Sequence, residues 1–328
     1  MKLAALIFAA MFAAATVSAC GITTHQEITE QARLGLNPFE HPLLRPLLDR
    51  TASNAEFGSA FPDLFWGLDI IFPNYNYREH GNYTHGRGGA VPFNDRFIQI
   101  LRENYQPPFT DETSAMTAAL LLGIGCHQAA DDVWHAGLIP QAFAQDGMPE
   151  AVVEFGVDLF CEWEQGERVK PLSAVLLPAA DLYGIYHAEG YTIGSYHLEI
   201  GAAGLRAMLW LEKHIGPSLY LRSQIIMPWT HANYLTYHDG GLDHCRAQCE
   251  QFLIETWDEL MSTAANPGAP PCLNQLRAES CPPLLALALQ LILAGAIDVP
   301  IRDIGGGFVE IGEPVIINPL LFQDLINR

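Results

Sequence analysis

Apolar and polar positions recur with a helical period through most of this chain. From Thr24 to about Leu36 the pattern repeats at three- and four-residue spacing, and Asn37-Pro38 stops it. A second amphipathic piece covers about 42–54, and further helices are predicted at about 93–104, 112–136, 149–165, 171–187, 193–214 and 243–264. Residues 55–95 are rich in Gly, Pro, Asn and aromatics and read as a long ordered loop. Loops of that length are uncommon in compact domains unless they are functional. Strand signals are scarce up to residue 265, so the pattern predicts an all-α fold over that part of the chain.

The ends of the chain differ from this. MKLAALIFAAMFAAATVSA, residues 1–19, has a basic start, an apolar run and a small-residue finish, the pattern of a secretory signal peptide. Cleavage there starts the mature protein at Cys20 and places it outside the cytosol. Val17-Ser18-Ala19-Cys20 also fits a bacterial lipobox, in which Cys20 would be acylated. NPGAPP, 266–271, ends the helical part, giving a domain at 20–265 and a carboxy-terminal extension at 266–328. Within the extension, LLALALQLILAGAI (284–297) is strongly apolar but too short to cross a bilayer. It reads as a core cap, or as a helix pressed on a lipid surface. FVEIGEPVIINP (308–319) alternates weakly and predicts a short hairpin.

Composition narrows the function classes. Apolar residues make up 49% of 328, enough for one large core, and a charged fraction of 16% argues against disorder. Seventeen Lys and Arg against 37 Asp and Glu give a net charge of −20, which disfavours a nucleic-acid backbone as partner unless metal supplies local positive charge. Seven cysteines in an oxidising compartment predict some disulfide pairing. Cys272 and Cys281 bracket a short loop and are the first candidates. Cys245 and Cys249 share a helix face, which suits two separate partners better than a mutual bond.

Candidate chemistry concentrates in GIGCHQAADDVWHAG, 123–137. His127, Asp131 and His135 fall four apart, on one helix face. A carboxylate between two imidazoles is a common way to hold zinc, although a buried histidine satisfied by a neighbouring aspartate is the commoner arrangement when taken alone. Asp132 lies about 100° around the helix and reads as an outer or solvated group. Glu154 and Asp158, in EFGVD, form a like-charged pair at the same spacing on an apolar helix, a repulsion that a cation removes. Asp63 stands among aromatics in AFPDLFW, and either His80 or His85 of REHGNYTHGRGG could reach a site from the loop.

Five segments in order carry a resemblance: CGITTHQEI, AFPDLFW, Thr84-His85 followed by PFNDRFIQILRENY, LLLGIGCHQAADDVWH, and EFGVD. Together they resemble the zinc-dependent phospholipase C superfamily. Within it they look most like the catalytic domain of the glycosylphosphatidylinositol-specific phospholipase D branch, with the zinc single-strand nucleases as more distant kin. The resemblance implies a helical domain with three zinc ions (Zn2+). It assigns Cys20, through its free amine and carbonyl, and His25 to one ion, which Asp131 bridges to a second. Asp63, His85 and His127 complete the second ion's set. His135 with the Glu154/Asp158 pair holds the third, although many relatives carry a histidine where Glu154 is placed. It also implies hydrolysis of a phosphodiester by a metal-activated water, with Asp63 orienting or deprotonating that water. The expected partner is phospholipid or glycosylphosphatidylinositol at a membrane surface, approached from outside as a peripheral protein. Two other readings use the same residues: a nuclease or nucleotidase, and a non-catalytic metal-binding or membrane-surface module.

Overall fold

The computed structural model describes residues 21–65, 68, 77–165, 175–262, 297–298, 301–305, 308–311 and 315–316. Its helices, in chain order, are α1 (Ile22–Gly35), α2 (Leu44–Arg50), α3 (Ala52–Ala60), α4 (Arg78–Thr84), α5 (Phe93–Asn104), α6 (Glu112–Ala136), α7 (Leu138–Asp146), α8 (Glu150–Glu164), α9 (Ala179–Ala188), α10 (Ser195–Ile226), α11 (Pro228–Asn233) and α12 (Leu242–Ser262). A 3-10 turn, Phe61–Asp63, extends α3. The fold is all-α through this region apart from one short strand, as the periodicity predicts.

α6 is the central helix. Asp111 caps its start by accepting the backbone N–H of Ser114 at 2.9 Å, a bond that satisfies one of the orphan donors at a helix end. Ala115, Ala118–Leu122, Ile124 and Cys126 are then almost wholly buried. α3 packs on one side of α6 and α12 on another. Both approaches need residues without side chains. A Cβ on Gly123 would sit 2.0 Å from the Ala55 carbonyl oxygen, and one on Gly58 would sit 2.4 Å from that of Leu120. Gly125 lies under the Phe252 ring, 1.8 Å from where its own Cβ would be. Gly58 falls within the stretch read as loop. It is there for helix contact, and α3 therefore continues to Ala60 where glycine, serine and asparagine content predicts coil.

Other boundaries moved as well. The helix expected over 171–187 is β1 (Val175–Leu177) followed by α9, with Pro178 between them supplying no N–H to either. The helix expected over 193–214 runs on to Ile226, through Gly216-Pro217. In the extension, β2 (Ile297–Asp298), β3 (Ile301–Gly305), β4 (Phe308–Ile311) and β5 (Val315–Ile316) are short. The sheet order is β1-β4-β3, antiparallel, with Val175 opposite Ile311 and Ile301 also opposite Ile311. Among the described residues of 308–319, β4 pairs with β3 and β5 with β2 rather than with each other. The extension thus adds two strands to one supplied by the helical region. Most of the apolar stretch 284–297 lies outside the described residues.

Cys126, Cys161, Cys245 and Cys249 are buried free thiols, so no disulfide occurs among the described residues. Cys245 and Cys249 do face one helix, as their spacing requires, but what they meet is backbone. Their thiols donate to the α6 carbonyls of Ala130 at 3.8 Å and Cys126 at 3.1 Å. Burial pushes the Cys249 thiol well above its usual range and Cys245 up to about 12. Cys20, Cys272 and Cys281 lie outside the described residues. No helix among the described residues is long and apolar enough to cross a membrane.

Candidate metal centre

Four segments bring donor atoms to the carboxyl-terminal half of α6. His127 comes first because α3 fixes it. Its Nδ1–H donates to the Ser59 carbonyl at 2.7 Å, which leaves Nε2 as the open ring nitrogen. His85, just past α4, is fixed in the same way, with Nδ1 2.7 Å from the Gly81 carbonyl. Its Nε2 lies 3.4 Å from Asp63 Oδ1. His25 stacks on His127 with ring centroids 3.8 Å apart. Gln128 ties the segments together, donating to the Thr84 carbonyl at 2.5 Å and accepting from Asn94 at 2.6 Å.

Asp131 is the hub. Its Oδ1 lies 3.2 Å from His25 Nε2 and 3.4 Å from His135 Nε2, and its Oδ2 lies 3.4 Å from His127 Nε2 and 3.8 Å from His85 Nε2. A carboxylate with imidazoles on both oxygens can serve two ions, whereas His127 offers one nitrogen and can serve one. Three sets of donors each fall within 4.8 Å: His25, His127 and Asp131; Asp63, His85 and His127; and His135, Glu150 and Glu154.

The last set includes a residue that the sequence reading passed over. Glu150 Oε1 lies 3.3 Å from His135 Nδ1, and Glu154 Oε1 lies 3.7 Å from His135 Nε2. Glu150 is one helical turn before Glu154, so the acidic pair facing His135 is 150/154. Asp158, one turn the other way, meets the start of α1 instead: its Oδ1 accepts from the Thr24 N–H and hydroxyl. The only signal that could have found Glu150 was the (i, i+4) rule applied in the other direction. Asp132 is exposed. His80 stacks on Phe65 at 5.5 Å and belongs to none of these donor sets. His231 pairs with Glu164, and His244 accepts from the Gly240 N–H, so neither joins the cluster. Cys20 lies outside the described residues.

The electrostatics ask for positive charge. Asp63, Asp131, Glu154, His25 and His127 are each at most 6% exposed. Both oxygens of Asp63, Oδ1 of Asp131, Oε2 of Glu154, Nδ1 of His25 and Nε2 of His127 have no hydrogen-bond partner. So many orphaned polar atoms in one dry place are costly unless a cation satisfies them. Protons report the same field. Burial disfavours a charged His127, yet Asp131 and Asp63 hold its pKa up to about 9. His135 is likewise raised to about 9, against burial, by Asp131, Glu154 and Glu150. Burial lifts Glu154 to about 8, with its acidic neighbours adding to the rise and His135 opposing it. Burial would also raise Asp131, but His127, His135 and His25 hold it well below the usual carboxylate range. A small cavity lined by Gly21, Thr24, His25, Trp134 and Glu154 adjoins these groups. Imidazole and carboxylate donors of this kind fit zinc.

The model of the zinc dependent phospholipase C family matches residues 24–171, which contain every donor just named. This part of the chain belongs to the zinc-dependent phospholipase C superfamily. Relatives of the phospholipase C-like region include phosphatidylinositol-glycan-specific phospholipase D of Bos taurus, 30% identical over 240 residues, and that of Rattus norvegicus, 28% identical over 254 residues. These alignments cover 69% and 73% of this chain but 28% and 29% of the relatives, so the chain spans under a third of their length. The Homo sapiens protein of the same name is 28% identical over 239 residues. No solved structure matches.

Proposed function

We propose that this chain is a secreted zinc-dependent phosphodiester hydrolase acting on phospholipid or glycosylphosphatidylinositol, working as a peripheral protein at a membrane surface. The observation that carries the proposal is the convergence of three donor sets on His127, Asp131 and His135 of α6, in a region that belongs to a phospholipase superfamily. The relatives named for phosphatidylinositol-glycan cleavage point to the substrate class.

His25 and Asp131 would hold one ion, together with the amine and carbonyl of Cys20 once a leader at 1–19 is removed. Asp63, His85, His127 and the second oxygen of Asp131 would hold another. His135, Glu150 and Glu154 would hold the third. Bound zinc supplies Lewis acidity toward a phosphoryl oxygen and brings the pKa of water near neutrality.

The chain supplies the rest. Asp63 offers two buried carboxylate oxygens with no hydrogen bond, so it can accept a proton from a water or orient one. The carbonyls of Ser59 and Gly81 hold His127 and His85 in the tautomer that presents Nε2. Phe61, Leu64 and Phe65, on either side of Asp63 in the chain, are buried apolar neighbours, and buried Trp134 lines the small cavity beside His25 and Glu154. We further propose the boundaries 20–265 for the catalytic domain and 266–328 for the extension.

The test is metal analysis and amino-terminal sequencing of the mature protein, followed by a phosphodiester panel. Phosphatidylcholine, a glycosylphosphatidylinositol and single-stranded DNA are compared at equal protein and zinc. Hydrolysis of a lipid substrate with zinc bound is the expected result. Cleavage of DNA alone would assign the nuclease reading, and zinc without turnover the binding-module reading.

A further inference from the structure

Asp158 looks by spacing like a partner of Glu154, yet one of its oxygens is engaged elsewhere. It is 3% exposed, and its Oδ1 accepts the backbone N–H of Thr24 at 2.7 Å and the Thr24 hydroxyl at 2.6 Å. Thr24 is in the first turn of α1, where backbone N–H groups have no partner within the helix. The residue before that helix, Gly21, makes no side-chain cap, and the first turn carries no acid. A carboxylate from a distant helix takes the place of both. The approach is tight: a Cβ on Gly21 would sit 3.2 Å from Asp158 Oδ1 and 3.1 Å from Thr24 Cβ. The next residue after Thr24 is His25, whose own N–H bonds the Gly21 carbonyl at 2.9 Å and whose Nε2 meets Asp131. One turn earlier on α8, Glu154 is in the His135 donor set.

We propose that Asp158 is a positioning residue: it clamps the first turn of α1 from outside and so sets where His25, and the chain leading into it, stand relative to Asp131. α8 would then do two jobs one turn apart, offering Glu154 to an ion and Asp158 to the segment that carries another ion's ligands. This rests on the zinc reading above and assigns Asp158 a task other than ligation.

The discriminating pair is Asp158→Asn and Asp158→Ala. Asparagine keeps an oxygen that accepts both Thr24 bonds and loses the charge a ligand would need, whereas alanine loses both. In zinc-free protein, hydrogen exchange at residues 22–25 reads the clamp alone. It should quicken in Asp158→Ala and stay near wild type in Asp158→Asn. In zinc-loaded protein, competition with a chelator should show one ion bound about 10- to 100-fold more weakly in Asp158→Ala, the usual cost of losing an outer partner. Asp158→Asn should recover most of that affinity. Thr24→Val, which removes the hydroxyl bond only, gives a milder loss in the same ion and serves if Asp158→Ala does not fold. Equal zinc loss in Asp158→Asn and Asp158→Ala, with the exchange of residues 22–25 unchanged in both, would make Asp158 a ligand and overturn the clamp. Unchanged exchange and unchanged zinc affinity in Asp158→Ala and Thr24→Val would overturn it too. A wild type that protects residues 22–25 through Asp158 yet binds no zinc overturns the metal reading and leaves the clamp as a stabilising contact only.

Discussion

His25 on α1 and Asp131 on α6 meet at 3.2 Å, Nε2 to Oδ1, and the same oxygen lies 3.4 Å from His135. One carboxylate therefore gathers imidazoles from two parts of the chain. Asp131→Asn keeps the shape but removes the charge that four imidazoles surround. With zinc held as proposed, its content should fall for the two ions that Asp131 would join, and turnover should be lost. Far-ultraviolet circular dichroism should stay that of a folded helical protein. Full activity in this variant would reject the bridging role.

Glu150 gives a second expectation, because it faces His135 from an edge where its side chain is 46% exposed. Glu150→Gln should weaken one ion by at least about tenfold, about 1.4 kcal/mol, while the other two stay bound. Glu150→His restores a ligand of the same class as His135 and should recover that ion. The check is a chelator competition read by atomic emission. Equal loss of all three ions would mean that the sites do not separate as described.

Packing gives a third. The carbonyl of Ala55 occupies the space that a Gly123 side chain needs. Backbone cannot step aside as a flexible side chain can, so Gly123→Ala should force α3 off α6. The cost should be about 1–3 kcal/mol by urea unfolding. Because Ser59 on α3 orients His127, the variant should also bind zinc more weakly. Unchanged stability would remove the close α3–α6 contact from the account.

The cap of α6 gives a pH-dependent expectation. Hydrogen bonds from the hydroxyl and the N–H of Ser114 hold the Asp111 carboxyl below its ordinary value. A carboxylate depressed in the folded state stabilises above its unfolded pKa of about 3.9, and that stabilisation fades as pH falls through the lower folded value. Asp111→Ala should therefore cost about 1 kcal/mol near neutrality. The gap between wild type and variant should narrow below about pH 4. A gap that is constant from pH 7 to 3 would show that charge has no part in this cap.

Much of this protein was legible one helix at a time. Periodicity placed α1, α5, α6, α8 and α12 to within a few residues, because burial on a helix repeats every turn and leaves its mark in the order of residues. The same rule put His127, Asp131 and His135 on one face. It did not locate partners, because a face has a direction only once another element lies against it. Glu154 has acidic neighbours one turn away on both sides. The packing of α1 and α6 against α8 turned Glu150 to His135 and Asp158 to Thr24. His80 and His85 lie within one short helix and its end, and only the fold sends one to aromatic rings and the other to Asp63. Gly58 falls in a stretch that reads as loop and Gly123 in a predicted helix, and together they are where two backbones touch. The order of residues determined which groups the chain owns and which way each helix is two-faced. The distances at which those groups meet were decided by interhelical contact, which depends on volumes and backbones that lie far apart in the sequence.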